Sequence, residues 1–200
     1  MSKTVDFNSE NYRIVEEPKK PISMNPKKFG MWLFMASVLM LFISLTSAYI
    51  VRQAEGNWVF FDLPNLFLIS SIVIAASSVT MQLGFWAAKK DNLERVKIMV
   101  GLTTILGLAF LVIQYMGWKA LVANSVYLVG NPSGSFLYVI TGLHAAHIIS
   151  AVVYLLIVLN AVFRLRIHSK NMVQMEMCTT YWHFLGVLWL YLFVFLTLLR

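Results

Sequence analysis

The residues of this chain that could do chemistry in an apolar setting are few. They comprise four histidines, one cysteine, and the tryptophans and tyrosines beside them. His183 stands in the run Tyr181-Trp182-His183-Phe184, inside the stretch 177–199, which contains no Lys, Arg, Asp or Glu. An imidazole at membrane depth costs free energy unless it is hydrogen-bonded, paired with a charge or bound to a metal. His144 and His147 are three residues apart and therefore share one helix face. Glu176, Thr180 and His183 follow one another at i, i+4 and i+7, a polar stripe that ends one turn before Val187. Three chemistries suit such a set: ligation of a haem iron, relay of protons, and hydrogen bonds that fasten helices together or hold lipid headgroups.

The first two meet obstacles. A b-type haem needs two axial histidines from different helices at one depth. Counted from the nearer basic loop at the helical rise, His147 lies about 24 Å deep and His183 about 9 Å deep. That difference of about 15 Å removes the pair. His144 and His147 cannot clamp one iron from opposite sides, and His168 falls in a loop. No acid lies near the middle of an apolar stretch, which weighs against a proton pump or cation transporter acting alone. No Walker loop, nucleotide fingerprint, catalytic serine arrangement or cysteine metal pattern is present. Cys178, the only cysteine, has no intrachain partner and reads as a small packed apolar residue. The expectation is therefore no catalytic residue, no metal ligand and no cofactor in this chain. His144, His147, Glu176, Trp182 and His183 are expected to bind lipid or pack helix on helix.

The elements that must position these residues follow from composition. Of 200 residues, 59% are hydrophobic and 12% charged, a membrane composition and not that of a soluble domain. Five apolar runs, about 29–51, 66–88, 98–118, 135–163 and 177–199, are each long enough to cross roughly 30 Å of hydrocarbon as a helix. They lack the alternation of a strand barrel. The fold class is all-α: a polytopic membrane protein with five transmembrane helices. Residues 1–28 are polar, contain Pro18, Pro21 and Pro26, and read as a flexible cytoplasmic tail rather than a signal peptide. Residues 29–200 form the transmembrane bundle, whose short loops leave no room for a second domain.

The net charge of +7 is a topology signal and not a nucleic-acid surface. Lys3, Arg13, Lys19, Lys20, Lys27 and Lys28 lie in the tail, Lys89, Lys90, Arg95 and Lys97 in the second loop, and Arg164, Arg166 and Lys170 in the fourth. Only Arg52, Lys119 and Arg200 fall on the other side. The positive-inside rule places the N-terminus in the cytoplasm and the C-terminus outside, with basic loops suited to anionic headgroups. Ser70, Ser71, Ser77, Ser78 and Thr80 in the second run read as helix-contact residues. Gly142, Ala146 and Ser150 in the fourth read as a small-residue face for tight packing.

Several motifs, in order, carry a resemblance. The run Glu176-x4-Tyr181-Trp182-His183-Phe184-x4-Trp189-x-Tyr191 follows Gly142-Leu143-His144-x2-His147 in the preceding helix. With Phe29-Gly30-Met31-Trp32-Leu33-Phe34-x2-Ser37, Gln114 with Trp118, and Gly134-Ser135-Phe136, this pattern resembles subunit III of the haem-copper oxidases, in its short five-helix form. The resemblance implies a non-catalytic core subunit of a respiratory oxidase, in the cytochrome c oxidase or quinol oxidase group. It implies packing against subunit I as the main contact and association with subunit II. Haem and copper would lie in those partner subunits, with phospholipid bound to this one. It further implies a bacterial inner membrane and a role in sustaining proton uptake during oxygen reduction. Three acids common in the family are replaced here, by Val38, Gly117 and Gly186. A proton relay through this chain's own carboxylates is therefore not carried over; Glu176 and the histidines remain. The electron donor, and any membership of a respiratory supercomplex, are decided on other subunits. The rival readings are a haem b anchor subunit of another oxidoreductase and a small transporter.

Overall fold

The computed structural model describes residues 25–164 and 172–199. Five α-helices account for nearly all of them: α1 Pro26–Ala54, α2 Leu66–Lys89, α3 Leu93–Ala123, α4 Pro132–Phe163 and α5 Val173–Leu198. Among the described residues there is no strand. All five helices are long and apolar enough to cross a membrane, with mean hydropathy from 1.7 to 2.3 over their most apolar stretches. Residues 1–24 of the polar tail, Arg200, and the loop containing Arg166, His168 and Lys170 lie outside the described residues.

α1, α3 and α4 begin before their apolar runs, each started by a polar cap. α1 starts at Pro26, three residues before the run, where the fixed φ of proline suits a first helical position. The Asn25 side chain accepts a hydrogen bond from the Lys27 amide. Asn92 caps α3 through the Arg95 amide, and Asn131 caps α4 through the Ser133 amide, again with proline at the first turn. Each cap satisfies an amide that the helix leaves unpaired at its start. Lys27 and Lys28 thus belong to α1 and not to the tail.

α2 and α3 form a hairpin around Asp91, whose φ of 52° closes the turn. α5 runs against α1, α2 and α4, whereas α1 touches only α4 and α5. Half of the most apolar stretch of α5 is buried, against 28% for α1, so α5 is the core helix and α1 the peripheral one. The core fills with Phe42, Phe67, Ile74, Phe110, Trp182 and Trp189. Tight approach occurs at Gly107 on α3, where a Cβ would lie 2.6 Å from the indole of Trp182.

The small-residue face of α4 is not a seam within this chain. A Cβ on Gly142 would meet nothing within 4 Å, and Ala146 is exposed. Ser150 is exposed too, although its hydroxyl lies 2.8 Å from that of Tyr181. Spacing marks such a face, but the approaching helix decides whether it is used; here α5 reaches only its Ser150 end.

Candidate functional site

α2 presents a ladder of serines to the tryptophans of α5. The indole Nε1 of Trp182 donates to Ser77 Oγ at 3.1 Å, and that of Trp189 to Ser71 Oγ at 3.0 Å. Trp182 and Trp189 are seven residues apart and Ser71 and Ser77 six, rises within about one residue of each other, so antiparallel helices bring both pairs together. In hydrocarbon an unpaired indole N–H is costly, so each bond fixes both register and rotation of α5 on α2. The serine contacts expected from sequence are thus explained by tryptophans. Trp182 itself is a buried packing residue.

His144 is fully buried. Its Nε2 donates to the Leu185 carbonyl at 3.1 Å, and its ring is enclosed by Phe42, Phe110 and Trp189. This ties α4 to α5. His147 is half-buried and turns the other way, donating from Nδ1 to Leu143 O in its own helix and facing the rings of Phe34 and Phe42 on α1.

His183 and Glu176 face open space. His183 Nε2 lies 3.0 Å from Gln82 Oε1 on α2. Glu176 pairs with Lys28 at the start of α1. Between them Thr180 and Thr179, with Phe85, complete a cleft of about 320 Å³. A second cavity of about 150 Å³ shares Glu176 and Thr180 and extends along α1 past Met31, Trp32 and Met35. Because α1 and α2 do not touch, the face of α5 between them stays open, and the polar stripe lines it. Glu176 and His183 therefore form one site, while His144 and Trp182 lie in the core and His147 against α1.

The depth estimate for the histidines does not hold. The Tyr181–Ser150 and Leu185–His144 contacts set the register of α5 on α4 and bring His183 level with His147. The error came from treating the two helix ends as coplanar; α4 projects past the start of α5. What separates His147 and His183 is direction, because one faces α1 and the other Gln82 on α2. Among the described residues, no group of three or more His, Cys, Asp or Glu is placed to hold a metal ion.

Sequence reasoning missed the partners. Gln82 was visible near the end of the second run, and Lys28 was counted as tail. The three positions where family acids are replaced are closed by neutral neighbours. Val38 is buried, a Cβ on Gly117 would lie 3.1 Å from the Phe67 ring, and one on Gly186 would lie 3.1 Å from Ser78 Oγ. Cys178 is buried and free, as a packed apolar residue should be. Gln114 is also buried, with no hydrogen-bond partner for its amide among the described residues.

At the far end from the basic loops, Tyr49 and Gln53 of α1 both donate to the Leu199 carbonyl, and Thr46 meets Tyr191 at 3.0 Å. α1 is thus fastened to α5 by polar groups near both ends.

Comparison with known proteins agrees on one family. The family model described as cytochrome c oxidase subunit III matches residues 18–199. The cytochrome c oxidase subunit 3 of Corynebacterium diphtheriae is 29% identical over 178 residues, covering 85% of this chain and 86% of that protein. A probable quinol oxidase subunit 3 of Staphylococcus saprophyticus is 26% identical, covering 84% of this chain and 87% of that one. A cytochrome bo(3) ubiquinol oxidase subunit 3 of Buchnera aphidicola is 25% identical, covering 84% and 89%.

Proposed function

The chain belongs to the cytochrome c oxidase subunit III family, and from that membership we propose that it is the non-catalytic third core subunit of a respiratory oxidase. As a haem-copper oxidase subunit III it is a multi-pass membrane protein that associates with other oxidase subunits. Its role is to steady the catalytic subunit I, its main contact, beside subunit II, and to sustain proton uptake while oxygen is reduced. Haem and copper lie in those partners. The tail and basic loops face the cytoplasm of a bacterial inner membrane.

The observation that carries this reading is the placement of the family motifs. They lie on helix–helix joints: Trp182 on Ser77, His144 on Leu185 and His183 on Gln82. Each of these three rings already has a nitrogen engaged by the protein, which suits a structural subunit. The Glu176–His183 cleft, open between α1 and α2, suits a phospholipid retained at the joint with a neighbouring subunit. Relatives named for cytochrome c and for quinol match about equally, as expected of a subunit whose task does not depend on the donor.

Purification through a tag on this chain, in detergent that preserves oxidases, tests the proposal. Haem- and copper-containing subunits should accompany it. A lone colourless chain would overturn the reading, and a stoichiometric b-type spectrum in the isolated chain would favour a haem b anchor instead.

A further inference from the structure

The four cations at the α2–α3 turn divide into two pairs. Lys89 lies over the Phe85 ring at 4.7 Å to its centroid, and Lys97 over the Phe163 ring at 5.4 Å. Those contacts turn both away from a separate groove of about 440 Å³ on another face of the hairpin. Lys90 and Arg95 stand at its rim with Asn92, and Leu83, Trp86 and Met99 supply apolar wall. Neither Lys90 nor Arg95 takes part in the Lys28–Glu176 or Arg52–Glu55 ion pairs. Asp91 and Glu94, their neighbours in sequence, are not among the lining residues. Trp86, 53% exposed, sits one turn deeper than Lys90, the arrangement of an interfacial aromatic beneath a charged rim.

We propose that this groove is a binding site for one anionic diacyl phospholipid, its phosphate held by Lys90 and Arg95 and an acyl chain lying along Leu83, Trp86 and Met99. A guanidinium offers paired donors to phosphate oxygens and an ammonium adds a point charge. Basic pockets between membrane helices take such headgroups. Charge complementarity selects the lipid: a phosphatidylcholine would bring its own fixed cation beside two others. Inorganic phosphate would satisfy the rim but leave the Trp86 wall uncovered, losing the apolar part of the binding. The site lies on a different face of α2 from Gln82 and the cleft beside α5. It rests on the membrane setting alone, so it stands or falls separately from the oxidase role.

The test uses the full chain, with whatever subunits accompany it, in nanodiscs of phosphatidylcholine containing a minority of phosphatidylglycerol. Native mass spectrometry then counts retained lipid. The unaltered protein should keep phosphatidylglycerol in preference to phosphatidylcholine, and the K90Q/R95Q variant should lose that preference by roughly tenfold. The K89Q/K97Q variant removes the same charge from the other face and should retain it. Equal retention by K90Q/R95Q, or equal loss in both variants, would overturn the site. So would displacement of the lipid by inorganic phosphate. Circular dichroism of each variant checks that the helices persist, and W86A, which keeps both cations, should also weaken retention.

Discussion

His183 Nε2 and Gln82 Oε1, 3.0 Å apart, join α5 to α2 at the edge of the open cleft. With an amide oxygen as acceptor, Nε2 carries the proton, which fixes the tautomer and leaves Nδ1 as the ring's acceptor. One pair thus holds two helices together at the wall of the cleft.

His183→Leu should destabilise the chain by about 1 kcal/mol, because Gln82 loses its partner in a half-buried setting. Gln82→Leu should cost a similar amount, and the double variant less than the sum. A double-mutant cycle from thermal unfolding in detergent measures this coupling; additive effects would contradict it. In the oxidase, His183→Leu should leave the initial haem and copper content unchanged while activity is lost faster during turnover. Immediate loss of a cofactor would refute the structural role.

Gly107→Leu should be the most damaging single change in the core. The side chain would collide with the Trp182 indole, forcing α3 or α5 to move, at about 1–3 kcal/mol or more. Ser77→Ala, which leaves the Trp182 N–H without its acceptor, should cost about 1–3 kcal/mol. Denaturation midpoints rank the two, and a neutral Gly107→Leu would exclude this packing.

The Lys28–Glu176 pair is partly exposed, with side chains 40% and 35% accessible. Its loss in Lys28→Gln should therefore cost only about 0–1 kcal/mol and fade in high salt. Exchanging the charges as K28E/E176K should restore most of it. Proton-pumping stoichiometry in Glu176→Gln separates a fastening role from an electrostatic one: the expected result is a normal ratio with faster inactivation, and a reduced ratio would overturn it.

α1 should be the first helix to loosen, since its packing against α4 and α5 is the sparsest between any two helices. Tyr49→Phe with Tyr191→Phe removes fastenings to Leu199 and Thr46. Hydrogen exchange should then rise in α1 while α2, α3 and α5 stay protected; a uniform rise would place the instability elsewhere.

Sequence by itself determined the class of this protein, its five helices and its family motifs. Hydrophobic length is set by the bilayer and is local to each helix, so Leu66–Lys89 could be read almost to the residue. Cap residues such as Asn25 and Asn131 were equally local, yet polar, so the apolar runs stopped short of them. Only the tertiary structure decided which faces meet. It turned Gly142, Ala146 and Ser150 outward, gave Trp182 the gap at Gly107, and set His183 level with His147 but aimed at Gln82. The reason is physical: rotation and vertical offset between helices are fixed by long-range pairs such as Trp189 with Ser71, which join residues 118 positions apart. No periodicity within a single helix contains that offset.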